Sequence, residues 1–496
     1  MMKQNKMKLK DNPNLTGQMT AEKSTVKPLL TANVIALVMW LLFSANLLYL
    51  LLNFKQVPQW TFENLFKIDG FTVLIWTVVT FFSGIVTTYA RNYLHGSRYQ
   101  SKFMWLCLAF TLSVMLLVMA NNVFLLLLSW SLMGVLMSKL IGIDITWGEA
   151  REASKFALKY FLLGTGFLSA GLLLIAIVSG EFTVIGLSLA VSQLPFYIVL
   201  ISALCVIIAA LIQSAIYPFH RWLLSAMTSP TPASALMHAG FVNGAGILLA
   251  LFSTLLFVSN TLNILFIIGG LTAIIAQFTK LLQVNVKQKL ACSTIAQMGF
   301  MIMQCGLGFF NAAVVHLILH GFYKAYLFLS SGEEIAQTRP QDQLKLHIRP
   351  AQAFVVLLFG GLGAFLFAFW TGKGMTDSGV FLTLIVAITV GQATYNIVKE
   401  KSLSVLQKIS VPPLLFMAGI GVYALFYNGV SALMSHMPMI AEPLPLSGVQ
   451  ITFGIIFLIG FFIMKLGVYR KLPWLYVKLM NVSQPYKKTV LTYKSK

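Results

Sequence analysis

Long apolar runs recur along almost the whole chain, and they decide what it can fold into. Stretches of about 20 residues, each long enough to cross hydrocarbon, fall at 31–53, 69–90, 104–120, 122–143, 155–179, 193–216, 232–259, 262–283, 290–308, 311–331, 350–371, 378–397, 411–428 and 449–468. Inside a bilayer each backbone N–H and C=O must be bonded without water, so runs of this length are helices. The chain reads as an all-α polytopic membrane protein of about fourteen spans, with both ends on one side. A soluble protein of 496 residues could not cover its surface with only 10% charged residues.

The net charge of +21 is placed to orient a membrane protein. The tail 1–28 and the connections at 91–103, 144–159, 217–231, 280–290, 332–349, 397–410 and 470–496 hold nearly all the Lys and Arg, whereas the opposite connections hold only Lys55, Lys67 and Lys373. Basic residues stay on the cytoplasmic side, so both termini are expected in the cytoplasm, facing anionic lipid headgroups. A basic groove for nucleic acid is not indicated. Segment 54–68, with Trp60, Phe62 and Phe66, reads as an interfacial anchor, and Asp144, Glu149, Arg151 and Glu152 as a solvated turn. Cys107, Cys205, Cys292 and Cys305 are scattered singly, with no metal or redox pairing. No glycine-rich phosphate loop is present, so a nucleotide or redox cofactor is not expected on this chain.

Three polar concentrations interrupt the apolar pattern. The first, residues 211–246, carries Pro218, Pro230, Pro232, His220 and His238. Proline prevents an unbroken helix, and broken helices at membrane depth line substrate or ion paths in many transporters. The second places His316, His320 and Lys324 four residues apart, so successive members turn by only about 40° and share one helix face. Such groups are costly to face toward lipid, and histidine exchanges protons near neutral pH. They are expected to turn into the bundle as a proton relay. The third is Gly372-Lys373-Gly374, which spacing reads equally well as a helix break or a plain loop. Lys139, near a helix end, reads as a snorkelling residue.

These residues also carry a family likeness. PFHRWLLSAMTSPTPASALMHA (218–239), KQKLACSTIAQMGFM (287–301) and HLILHGFYKAYLFLSSG (316–332) resemble, in this order, the motifs of the antiporter-like subunits of respiratory complex I and of multisubunit cation/proton antiporters. The likeness runs over roughly residues 65–400. It implies two inverted repeats, at 104–259 and 260–400, each with an interrupted helix, flanked by N-terminal helices at 29–103 and C-terminal helices at 401–469. It further implies that His238, His316, His320, Lys324 and, less directly, Lys373 form the ion path. Two positions depart from the pattern: Ser131 stands where the family carries a glutamate, and Gln213 where it carries a lysine. MHAGFVNGAG (237–246) with these missing charges is similar to the membrane subunits of the DAB-type two-component inorganic-carbon uptake systems of bacteria. That similarity implies a location in the bacterial plasma membrane. It also implies a large partner resembling a zinc carbonic anhydrase, with zinc held by that partner. The alternative is a proton-translocating subunit of an NADH–quinone oxidoreductase or a cation/proton antiporter.

Overall fold

The computed structural model describes residues 30–54, 56–331, 350–373, 377–399, 404–465 and 472–490. The tail expected at 1–28 and Gly374 lie outside them. Helices stand at all fourteen expected places. Ten of them, among the described residues, are long and apolar enough to cross a membrane, and the chain is a multi-pass membrane protein. The N-terminal half consists of α1 (Leu30–Leu52), α2 (Gly70–Tyr93), α3 (Gln100–Met119), α4 (Val123–Ile141), α5 (Gly148–Ser179), the short α6 (Val184–Ala190) and α7 (Phe196–Gln213). There follow the short α8 (Arg221–Ser225), α9 (Thr231–Ala239), α10 (Gly244–Leu251) and α11 (Ser253–Val258). The remainder comprises α12 (Leu262–Leu282), α13 (Val286–Gly306), α14 (Phe310–Ser330), α15 (Pro350–Thr371), α16 (Gly379–Lys399), α17 (Val405–Leu433), α18 (Gly448–Lys465) and α19 (Pro473–Val482).

Local chemistry fixes several helix starts. The Asp69 carboxylate accepts from the Thr72 amide at 2.9 Å at the head of α2, and Asn122 and Asn285 do the same for α4 and α13. Each satisfies amides that have no partner within the helix. The anchor expected at 54–68 is a small hairpin, β1 (Trp60–Phe62) against β2 (Phe66–Ile68). The Leu65 carbonyl at its turn accepts from the Asn121 amide at 2.8 Å, so the hairpin caps the α3–α4 connection. The connection expected at 144–159 is shorter than the sequence suggested, since α5 already begins at Gly148. Glu149, Arg151 and Glu152 belong to the first turns of α5, where acidic groups favour a helix start. Asp144 remains outside, held below the usual carboxylate range by hydrogen bonds from Thr146 and Tyr99. Lys139 is exposed on α4, as a snorkelling residue should be.

The centre of the bundle is built on close helix approach. A Cβ on Gly269 would lie 2.5 Å from the Met303 amide nitrogen, and one on Gly299 would lie 2.7 Å from that of Ala273. The backbones of α12 and α13 therefore touch, as small residues permit in membrane bundles. Gly321 of α14 does the same toward α9, where its missing side chain would meet the Ala239 carbonyl at 3.0 Å. This second contact brings His238 beside the polar face of α14.

Candidate ion path

The first polar concentration folds into two separate departures from helix. α7 ends at Gln213, and residues 214–220 run irregularly to α8, with a cis Tyr217–Pro218 bond and a left-handed Ala215. Pro218 thus lies in the gap between two helices. Pro230 caps α9 and Pro232 occupies its first turn, where a proline costs nothing because the amide has no helical partner. These two prolines start a helix and do not break one. The interruption that the sequence did not reveal lies later, where the expected helix 232–259 divides at Gly240 and the 3-10 turn Phe241–Asn243. His238 sits in the last turn of α9, just before that division.

The freed backbone groups are bonded across the two departures. The Gln213 amide donates to the Phe241 carbonyl at 2.9 Å, and the Ser214 hydroxyl donates to the Val242 carbonyl at 2.5 Å. Asn243 Nδ2 donates to Ala239 at 2.7 Å and to Leu317 of α14 at 3.3 Å. The Trp222 indole donates to the Ile212 carbonyl at 2.9 Å. From α13, Lys287 Nζ reaches the Ser229 carbonyl at 2.9 Å and Gln288 Nε2 the Leu224 carbonyl at 3.0 Å. The polar start of the 287–301 motif is therefore the clamp that holds α8 against α9. Irregular backbone in a bundle needs such donors.

On α14 the expected register holds. His320 and Lys324 are buried and His316 half-buried, while Phe322, Tyr323 and Tyr326 occupy the exposed face. The rings of His316 and His320 lie 6.0 Å apart and nearly parallel at 14°. His238 is wholly buried and stacks on Phe328 at 4.3 Å. Lys324, also without exposure, donates from Nζ to the Leu290 carbonyl at 2.9 Å. Both ring nitrogens of His238 and of His320 are buried with no hydrogen-bond partner among the described residues, as are His316 Nε2, Asn243 Oδ1 and Gln304 Oε1. Polar atoms left this way are bonded in native proteins, commonly by ordered water. The structure thus brings His238, His316, His320 and Lys324 together on facing elements, α9 and α14.

Lys373 stands apart from them. α15 and α16 pack side by side, with Gly360 against Ala387 and Gly363 against Val390, and the short connection between Thr371 and Gly379 requires them to run antiparallel. Lys373 is in their connection and not at a break within one helix, which corrects the placement implied by the family likeness. It is nevertheless 7% exposed. Its Nζ donates to the Tyr427 hydroxyl at 3.1 Å and lies 3.6 Å from the centre of the Phe309 ring and 4.4 Å from that of Tyr427. Phe309 immediately precedes α14, so this aromatic cage closes the end of α14 opposite Lys324.

Residues 120–349 match the family described as NADH:quinone oxidoreductase/Mrp antiporter, transmembrane. This part of the chain, a little under half of it, is similar to that antiporter family. Its relatives include a probable inorganic carbon transporter subunit, DabB1, of Halothiobacillus neapolitanus (strain ATCC 23641 / c2). That protein is 34% identical over 305 residues, or 58% of this chain and 53% of the relative. A probable inorganic carbon transporter subunit, DabB, of Bacillus subtilis (strain 168) is 32% identical over 333 residues, covering 65% and 63% of the two chains. NADH-quinone oxidoreductase subunit L of Rickettsia typhi (strain ATCC VR-144 / Wilmington) is 33% identical over 321 residues, covering 61% and 48%. The matched part thus spans between about half and two thirds of the length of these relatives. Among solved structures, a chain of the Mrp complex from Dietzia sp. DQ12-45-1b superposes with a TM-score of 0.58 at 18% identity, over 91% of this chain and 58% of the other. A chain of respiratory complex I from Thermus thermophilus gives 0.54 at 16%, over 91% and 94%. At these identities the structures establish the fold alone.

Against the antiporter-family pattern, the two substituted positions are occupied without strain. Ser131 is half-buried on α4, next to the buried Trp130. Gln213 is 3% exposed and packs its chain against Gly244 while its amide serves the Phe241 carbonyl. A neutral amide at the end of α7 thus has a structural task that calls for no counter-charge from α4.

Proposed function

We propose that this chain is the ion-conducting membrane subunit of an energy-coupled inorganic-carbon uptake complex in a bacterial plasma membrane. In this reading a proton or sodium gradient acts through His238, His316, His320 and Lys324, and Lys373 guards the far end of α14. The partner is a large zinc-binding subunit resembling a carbonic anhydrase, which converts CO2 to bicarbonate. Both termini lie in the cytoplasm. The observation that carries the ion-conducting role is the set of buried, unpartnered imidazole nitrogens beside an interrupted helix. Water in that space would link the rings into a relay, because each imidazole accepts a proton at one nitrogen and releases one at the other. Similarity to the two DabB subunits supports the carbon-uptake role, and so does the neutral pair Ser131 and Gln213. Ion movement drives the partner only where the loaded and empty path hold that partner differently.

A second reading, a proton-translocating subunit of an NADH–quinone oxidoreductase or a cation/proton antiporter, is favoured by the similarity to subunit L of Rickettsia typhi. Affinity purification of the chain from its native membrane separates the two. A stoichiometric zinc protein, together with labelled bicarbonate accumulation that fails in Lys324→Met cells, supports the first reading. Copurifying flavin and iron–sulfur subunits, with no zinc protein, would replace it with the second.

A further inference from the structure

The C-terminal segment folds back across the basic end of the bundle. Leu479 of α19 packs on Phe278 of α12. The Val482 carbonyl lies 2.8 Å from His220 Nε2, and the Tyr486 amide donates to Ser225 Oγ at 3.0 Å. The Tyr486 ring stacks on Phe156 of α5, with centroids 4.2 Å apart and planes within 4°. One strap thus touches α5, α8 and α12 and leaves His220 only 4% exposed.

Beneath the strap a row of polar side chains leads inward. His220 holds its Nδ1 buried with no hydrogen bond of ordinary geometry, and its ring lies 3.9 Å from that of Tyr217. The Tyr217 hydroxyl meets Thr279 Oγ1 at 3.5 Å. Thr279 in turn meets the thiol of Cys292, which lies close to Lys324. Lys280, on the last turn of α12, lies within electrostatic reach of Lys324, and Arg221 adjoins His220.

We propose that His220, Tyr217, Thr279 and Cys292 line the entry by which water and protons reach Lys324 from the basic face, and that segment 473–490 is its removable cover. The cover holds through one stacked aromatic pair, two hydrogen bonds and a small apolar cluster in which Leu475 and Leu479 join Ile274, Ile275, Phe278, Leu282 and Ile463, a smaller set than the glycine-packed core. Segments held by few buried contacts open at low free-energy cost and do so locally. The outward face of α19 carries Trp474, Val477 and Lys478, a composition suited to the headgroup layer. That layer gives the strap a second place to rest when it leaves His220. This proposal rests on the proton relay proposed above.

Cys292 provides a readout independent of transport. The full-length protein, reconstituted in vesicles, would be exposed to a small water-soluble thiol reagent, and peptide mass mapping would separate Cys292 from Cys107, Cys205 and Cys305. Trypsin cleavage at Lys487 and Lys488 would report release of the strap. Loss of the stacked pair in Tyr486→Ala should raise labelling of Cys292 by about fivefold or more. Leu479→Asp, which ejects α19 by a different contact, should do the same, and cleavage should rise in parallel. Released strap with Cys292 still unreactive in both variants would overturn the entry. A strap that stays protected in both would overturn the cover, because it would then be a fixed part of the core. Should labelling rise while proton flux is absent even in the unmodified complex, the entry stands and the relay falls.

Discussion

Replacing Lys324 with methionine separates a working lysine from a structural one. The side chain has no exposed surface and lies among α9, α13 and α14. The ion pairs found among the described residues, Lys67–Asp69 and Lys155–Glu152, are elsewhere, so burial of the ammonium is not offset by a carboxylate there. Removing a lone ion from water costs several kcal/mol even after relaxation. A single charge-assisted hydrogen bond, here to Leu290, returns about 1.5–3 kcal/mol. The Leu290 carbonyl is not orphaned by the change, because the Thr294 hydroxyl also donates to it at 3.1 Å. Methionine is close in length, flexible and apolar, so it should fill the space. The balance places Lys324→Met between neutral and about 3 kcal/mol more stable than the parent. Thermal unfolding of the purified complex in detergent, with proton flux in vesicles measured alongside, checks both halves. The expected pair is an unchanged or higher midpoint and flux reduced to background. A variant that loses about 2 kcal/mol or more while flux persists would refute the reasoning, since that is the pattern for removal of a structural group.

Further predictions concern the supports of the path. Gln213→Leu should leave the Phe241 carbonyl without its donor and cost about 1–3 kcal/mol, read as a lower thermal midpoint. At the far end of α14, Tyr427→Phe removes only the hydroxyl that accepts from Lys373 and should cost about 1.5–3 kcal/mol. Tyr427→Leu should add the loss of ring attraction, a further 0.5–2 kcal/mol or so, and equal effects of the two would remove the cage from the account. Gly299→Val places carbon 2.7 Å from the Ala273 backbone nitrogen, where no side chain can yield. Folded yield of the detergent-solubilised protein should collapse, and normal yield would mean that α12 and α13 are not packed this closely.

Much of this architecture was legible because a bilayer allows few solutions. Apolar runs had to become helices, and all fourteen did. The face shared by His316, His320 and Lys324 followed from helical spacing alone, since no other face of α14 lets three costly groups avoid hydrocarbon. The division at Gly240–Asn243 was hidden because its sequence, AGFVNGAG, is apolar enough to pass for continuous helix; its donors come from Gln213, Ser214 and Asn243, whose pairing depends on tertiary approach. The prolines drew attention to the right stretch for partly the wrong reason, because Pro230 and Pro232 begin α9. Lys373 was ambiguous in sequence, and the antiparallel packing of α15 on α16 decided for a connection. The clamp by Lys287 and Gln288 had one visible signal, two long polar side chains opening an otherwise apolar helix. The strap's contacts left none, because a basic, aromatic tail is expected at the membrane surface whether or not it touches the bundle.

The central claim is that water occupies the space between α9 and α14 and joins His238, His316 and His320 to Lys324. Radiolytic footprinting of the intact complex in vesicles tests this most directly, because millisecond hydroxyl-radical exposure oxidises buried side chains only where water is already bound beside them. The account predicts oxidation of these three histidines well above that of Phe103 and Phe110, which are fully buried on α3. Histidines no more oxidised than those two phenylalanines would contradict it.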